Sequence, residues 1–165
     1  MKHIFGIHTS TTLTNVQEND IQPNGVDCKV DRVLKIRNHL FVLSEEEKIH
    51  RGTIEIFPDS EGYFNLDIGS YEIVLENIIN VGENEAGWFI VRSTLNRNGI
   101  YITSGLFDSG YHGVAALALH NNIGPARIKR GTRIAQYINF DAEALHKYNG
   151  SYGIGKKHDI EKYQS

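Results

Sequence analysis

Short apolar runs recur from residue 26 to residue 140 with turn signals between them, and this spacing constrains the fold more than any single motif. Val26-Asp27-Cys28-Lys29-Val30-Asp31-Arg32-Val33-Leu34-Lys35-Ile36 alternates apolar and polar residues, the pattern of a half-buried strand. Gln22-Pro23-Asn24-Gly25 precedes it as a turn, because Pro fixes one φ and Asn-Gly tolerates positive φ. Residues 40–43 look like strand, followed by a surface loop or one helical turn with Ser44 as its cap. Residues 53–57, 63–66, 71–75, 76–81 and 88–91 continue as β-type runs, separated by turns such as Pro58-Asp59-Ser60-Glu61-Gly62. Residues 100–102 and 114–119 read as hairpin arms around 103–113, and 126–128 and 133–140 as the last strands. Ser10-Thr11-Thr12 could open a short helix. A chain of 165 residues with this rhythm predicts one all-β domain, a sandwich or barrel.

Composition removes several function classes. A formal net charge of -3 gives no electrostatic case for binding long nucleic acid or an anionic membrane. The single cysteine, Cys28, excludes an internal disulfide and fits a reducing cytoplasm. The apolar run at the N-terminus is too short for a signal peptide, and no segment approaches the roughly 20 apolar residues of a membrane helix. A cytoplasmic soluble domain is expected. The eight His residues show no metal-ligand spacing, no Gly-x-x-x-x-Gly-Lys-Ser/Thr loop occurs, and Ser93 lacks a Gly-x-Ser-x-Gly elbow.

Polar groups crowd residues 92–113 between apolar runs. Asp108 lies in a turn flanked by Gly105, Gly110 and Gly113, where a carboxylate can either cap the turn or face a ligand. Arg92, Ser93 and Arg97 offer the charge-assisted and hydroxyl hydrogen bonds suited to phosphate, or belong to a solvated strand end. Arg130, Gly131, Arg133 and Gln136 form a second donor cluster with the same two readings. Residues 148–157 are glycine-rich and polar, and cannot bury enough surface to fold alone. This divides the chain into a domain over 1–147 and a flexible arm over 148–165. From the residues alone the chain binds a phosphorylated ligand.

Five segments, in order, carry a resemblance. They are Gly25-Val26-Asp27; Arg92-Ser93-Thr94-Leu95; Gly105-Leu106-Phe107-Asp108-Ser109-Gly110-Tyr111-His112-Gly113 with Asn121 after it; Gly131-Thr132-Arg133-Ile134-Ala135-Gln136; and Gly150-Ser151-Tyr152-Gly153-Ile154-Gly155. With them the chain resembles the superfamily of trimeric dUTPases and dCTP deaminases from about Gln22 to its C-terminus. The resemblance implies a distorted jelly-roll-like β-barrel, a homotrimer, and an arm closing over a neighbouring active site. Deaminases of this superfamily carry a glutamate ten residues after the acid matched by Asp108, where this chain has Ala118, and an arginine two residues before it, where this chain has Leu106. Loss of that proton carrier removes a group deamination requires. The Arg-Ser-Thr-Leu-Asn-Arg run, in contrast, is closer to the deaminase branch.

The resemblance therefore implies a dUTP diphosphatase releasing dUMP and pyrophosphate. Asp108 would activate water for attack on the α-phosphorus, and Mg²⁺ chelated by the phosphates would offset charge on the leaving group. Asp27 would hold waters of that ion. Ser93, the backbone at Thr94, and Gln136 would bind phosphate oxygens, with Arg92 bracing a subunit contact. Tyr111 would pack under the deoxyribose, and the backbone of Thr103, Gly105 and Phe107 would read the base. The arm departs from the family's pattern: Lys147 is the nearest preceding base, Tyr152 stands for Phe to stack on the base, and Ile154 for Ser. A dCTP deaminase, alone or bifunctional, a related pyrimidine nucleotide pyrophosphatase and a non-catalytic nucleotide sensor remain as alternatives.

Overall fold

The computed structural model describes residues 1–163. Its strands are β1 (Thr12–Leu13), β2 (Ile21–Gln22), β3 (Gly25–Ile36), β4 (Val42–Leu43), β5 (Lys48–Ile49), β6 (Thr53–Ile56), β7 (Tyr63–Leu66), β8 (Gly69–Asn80), β9 (Glu85–Val91), β10 (Ile100–Thr103), β11 (His112–Asn121), β12 (Ala126–Lys129) and β13 (Arg133–Asp141). Two short α-helices, α1 (Ser93–Arg97) and α2 (Lys157–Tyr163), and a 3₁₀ turn at Glu18–Asp20 complete the described elements. None of these helices is long and apolar enough to cross a membrane.

Nine strands form one antiparallel sheet whose main path runs β10-β11-β8-β3-β13-β9. β3 belongs to both halves of it. Its N-terminal half pairs with β13, placing Asp27 opposite Gln136, while its C-terminal half pairs with β8 and β6. Register shifts between Val30 and Arg32 bend the strand where it changes partners, as a β-bulge does. Gly87 of β9 bridges to Phe107 in the connection that leaves β10, which brings the sheet close to closure. The chain is thus all-β, as its turn spacing predicts.

Alternation along β11 shows why the sheet has a distinct inside. Ala115, Leu117, Leu119 and Asn121 are buried in the core, with Ile73, Leu75 and Ile79 of β8 and Val33 of β3. Each large aliphatic side chain buried this way contributes about 1.5–3 kcal/mol. Val114, Ala116, Ala118 and His120 point to the other face, yet are only half exposed. The C-terminal segment covers that face.

Several local expectations change. The runs predicted over 71–75 and 76–81 merge into one long strand, β8 (Gly69–Asn80), because Tyr71, Ile73, Leu75, Asn77 and Ile79 keep one side buried across both. No helix starts at Ser10. Ser10 and Thr11 instead donate their backbone N–H groups to the buried Glu85 carboxylate at 2.9 and 3.1 Å. Only residues 42 and 43 of the expected strand at 40–43 are strand, and Ser44 Oγ caps the following turn by accepting the N–H groups of Glu46 and Glu47. Helix α1 falls within the run read as a donor cluster. The C-terminal segment folds further than its composition suggests, with α2 over residues expected only as a polar arm; Gln164 and Ser165 of that arm lie outside the described residues.

Candidate active site

The turn carrying Asp108 is fixed by backbone bonds on every side. Phe107 and Gly87 exchange N–H···O bonds of 2.9 Å in both directions. Ser109 Oγ donates to the Glu85 carbonyl at 2.5 Å, Gly110 N–H to the Val81 carbonyl at 3.1 Å, and Tyr111 N–H to the Asp108 carbonyl at 3.0 Å. Gly110 sits at φ +80°, a left-handed conformation that glycine adopts without cost. Ser109 is buried while the Asp108 side chain is exposed, so the turn presents a carboxylate to solvent from a fixed backbone.

Behind it, the Glu85 carboxylate accepts from Thr9, Thr11 and Asn139 side chains and from backbone N–H groups of residues 10 and 11. Burial raises its pKa, but hydrogen bonds from Thr11, Asn139, Ser10 and Thr9 outweigh that and hold it at about 2. The N-terminal residues are thereby anchored next to the Asp108 turn.

Two cavities flank this turn. A cavity of about 480 Å³ is lined by Thr103, Gly105, Phe107, Tyr111, Ala118 and Tyr152 together with α2. Its neighbour, of about 550 Å³, is lined by Asp108, Ser109, Glu143, His146 and Asn149. Leu106 and Tyr148 contribute to both. Tyr111 is buried, donates its hydroxyl to the Val114 carbonyl at 2.9 Å, and packs edge-on against Phe107 and Tyr148 with centroids 5.2 and 5.3 Å apart. Burial pushes its phenol well above the usual range, so it acts as an apolar wall with a neutral hydroxyl.

The other candidate residues gather elsewhere. Asp27 is buried, because Arg92, Arg133 and Gln136 close over it. Gln136 Nε2 donates to Asp27 Oδ1 at 3.3 Å, and Arg92 Nε lies 3.1 Å from Asp27 Oδ2. That second contact is an ion pair without hydrogen-bond alignment, so Oδ2 stays buried with no donor. Arg133 Nη1 approaches the same oxygen at 3.7 Å. Arg92 Nη1 also donates to the Arg133 carbonyl at 3.3 Å. Ser93 and Thr94 are exposed at the start of α1, beside Arg92. One carboxylate and two guanidiniums leave this cluster net positive, suited to anionic oxygens. Neither cavity includes Asp27, Arg92, Ser93, Thr94 or Gln136.

For a divalent ion the donor set is sparse. No group of three potential ligands gathers among the described residues. The buried, donor-free Oδ2 of Asp27 fits a role through water rather than as part of a protein cage.

Sequence reasoning missed Tyr148, Glu72 and the face of α2 carrying His158, Asp159, Lys162 and Tyr163, all of which line the cavity beside the hairpin. For those in the tail, the advance signal was aromatic residues in an otherwise polar stretch. Docking of that tail depends on a close glycine contact. A Cβ on Gly113 would fall 2.7 Å from Gly153 Cα, and Ile154 N–H donates to the His112 carbonyl at 2.8 Å.

The chain is similar to known proteins over most of its length. The family model described as dCTP deaminase-like matches residues 7–141. A probable deoxyuridine 5′-triphosphate nucleotidohydrolase from Methanopyrus kandleri is 31% identical over 141 residues, 84% of this chain and 91% of that relative. A deoxyuridine 5′-triphosphate nucleotidohydrolase from Methanocaldococcus jannaschii is 33% identical over 138 residues, 82% of this chain and 88% of that relative. Among solved structures, a 2′-deoxycytidine 5′-triphosphate deaminase from Agrobacterium tumefaciens superposes with a TM-score of 0.61 at 14% identity. The match covers 82% of this chain but only 45% of that one. A dUTPase from phage phi11 of S. aureus superposes with a TM-score of 0.53 at 13% identity over 88% of this chain and 99% of that one. At these identities the structural matches speak for the fold alone.

Proposed function

The chain belongs to the dCTP deaminase-like family, and from that premise we propose that it is a dUTP diphosphatase, cleaving dUTP to dUMP and pyrophosphate. One observation carries the reading: an exposed carboxylate, Asp108, on a backbone clamped at Phe107, Ser109 and Gly110, beside a cavity walled by an uncharged hairpin. The archaeal relatives are named as nucleotidohydrolases of the same substrate.

In this reading Asp108 takes a proton from water as that water attacks the α-phosphorus, and the bond to the bridging oxygen of pyrophosphate breaks. Arg92, Ser93, the backbone at Thr94, and Gln136 hold phosphate oxygens by charge-assisted and neutral hydrogen bonds. Backbone groups of Thr103, Gly105 and Phe107 pair with the uracil edge, and cytosine's amino group would leave buried groups mismatched. Tyr111 and its partner Tyr148 wall the deoxyribose, and Tyr152 stacks on the base. When bound, Mg²⁺ would offset charge on the leaving group, and Asp27 would hold it through water. The phosphate cluster and the hairpin cavity do not share a cavity within one chain, which supports a site completed between copies of a homotrimer.

Incubation with each deoxynucleoside triphosphate, with and without Mg²⁺, tests this by following pyrophosphate and monophosphate. Release from dUTP is expected, and none after chelation of the metal. Ammonia release from dCTP would instead support the deaminase reading that the family model's description and the Arg-Ser-Thr-Leu-Asn-Arg run keep open.

A further inference from the structure

A charged residue stands on the wall of the hairpin cavity where the proposed uracil offers it nothing. Thr103, Ala118 and Glu72 form one row across β10, β11 and β8, each directly opposite the next in the antiparallel register. Directly paired residues share a sheet face, and this face is the one under the arm. Strands lie about 4.8 Å apart, so Glu72 stands roughly 10 Å across the row from Thr103. Between them Ala118, like its neighbour Ala116, contributes only a methyl group, which leaves the face open from the hairpin to the carboxylate.

Glu72 is not idle in the closed chain. Lys162 donates to its Oε2, and the Tyr163 hydroxyl donates to Oε1 at 2.6 Å. Its side chain is 19% exposed, and the residue lines the cavity. An ionised carboxylate accepts about four hydrogen bonds, so two donors from α2 leave acceptor capacity for a ligand. Asp159, the other carboxylate lining the cavity, is buried and already accepts Gly153 N–H and His158 Nδ1 at 3.0 Å.

We propose that Glu72 is a specificity residue that accepts a hydrogen bond from a substituent at C5 of the pyrimidine, so that the site takes deoxyuridine triphosphates bearing a 5-hydroxymethyl or similar donor group. This rests on the hairpin reading the uracil edge, which turns C5 away from Thr103 and along the row towards Glu72. A bare C5–H presents an apolar edge to a carboxylate with free acceptor sites. A hydroxymethyl group fills the space over Ala118 and supplies the missing donor. A methyl group fills the same space and supplies none, which leaves the acceptor desolvated and unpaired.

Calorimetric binding of non-hydrolysable α,β-imido triphosphates of deoxyuridine, 5-methyldeoxyuridine and 5-hydroxymethyldeoxyuridine tests the proposal without requiring turnover. The wild-type chain is expected to bind the hydroxymethyl compound at least fivefold more tightly than the methyl compound. Glu72→Ala brings that ratio close to one, and Glu72→Gln, which keeps one acceptor and nearly the same shape, gives an intermediate value. The double variant Lys162→Met, Tyr163→Phe keeps the carboxylate and retains the preference even where overall affinity falls. A wild-type ratio below fivefold, or one unchanged in both Glu72 variants, overturns the proposal. So does loss of the preference in the double variant, since Glu72 would then act only through α2. Absence of dUTP hydrolysis would overturn the diphosphatase reading and leave these ratios interpretable.

Discussion

Phe107 and Gly87 are joined by two reciprocal backbone hydrogen bonds of 2.9 Å, and the residue after Phe107 is Asp108. The pairing ties β9 to the connection that leaves β10 and makes the Asp108 turn part of the barrel wall. A Cβ on Gly87 would fall 1.7 Å from the Tyr137 hydroxyl, so only glycine allows the strand to pass this close. Asp108 is therefore changeable without disturbing its surroundings.

Asp108→Asn is expected to fold like the wild type, bind nucleotide with similar affinity and lose turnover by about 10²–10⁴-fold, the usual contribution of a positioned general base. Steady-state hydrolysis of dUTP and calorimetric binding of its imido analogue read the two effects separately. Hydrolysis persisting within a factor of ten of wild type would assign the base elsewhere.

Glu85 gives the fold an acid-sensitive anchor. Its carboxyl is held at about 2 against an ordinary 4.5, so the folded state binds the proton more weakly than the unfolded chain. The stabilisation is complete above about pH 4.5 and is lost as pH falls from there through about 2. Each tenfold difference in proton affinity is about 1.4 kcal/mol, so the anchor is worth on the order of 3 kcal/mol at neutral pH. Urea unfolding of wild type and Glu85→Gln should differ by about that amount at pH 7, with the gap closing progressively below pH 4.5. A gap independent of pH would mean that packing, not ionisation, carries the contribution.

The strands and the location of the site differ in how legible they were. Alternation along 26–36 and turn residues at regular intervals predict the strands, because each strand hides one face and the pattern is local. Residues 103–113 read as a hairpin connection for the same reason. The burial of Asp27 was not legible, since it depends on β13 pairing Gln136 opposite it, more than a hundred residues away in sequence. Helix α2 was hidden for a related reason. Its residues look polar because their partners, Glu72 and the outer face of β11, lie on distant strands. Ala118 marked an absence in the sequence; only the register shows that a carboxylate stands directly across from it.

Arm docking should fail in Gly153→Ala. Gly153 has φ +118°, and an added Cβ would meet the His112 carbonyl oxygen at 2.7 Å. Strain of this kind costs about 1–3 kcal/mol, enough to weaken nucleotide affinity roughly fivefold to a hundredfold if the docked arm closes over substrate. Among the described residues, the barrel core contains none of the arm beyond partly buried Tyr148, so the thermal midpoint should move little. Faster tryptic cleavage at Lys156 and Lys157 with a raised KM is the expected pair of observations. Unchanged cleavage would show that the arm stays docked and that the glycine contact is replaceable.

A shared site makes a sharper demand than any single variant. Asp108 lines one cavity, whereas Gln136 belongs to the Asp27–Arg92 cluster outside both. If one copy supplies the carboxylate and another the phosphate donors, Asp108→Asn and Gln136→Ala chains are each impaired alone but complement one another when mixed. Random exchange of subunits then creates some sites in which both contributing residues are native. Mixing the two variants, with denaturation and refolding to allow exchange, should restore a substantial fraction of wild-type activity per such site. Gln136→Ala should itself mainly raise KM, because it removes a neutral hydrogen bond worth about 0.5–1.5 kcal/mol. The mixture is therefore best assayed at low dUTP, where both defects show. Activity that never exceeds the sum of the two variants would place the whole site within one chain.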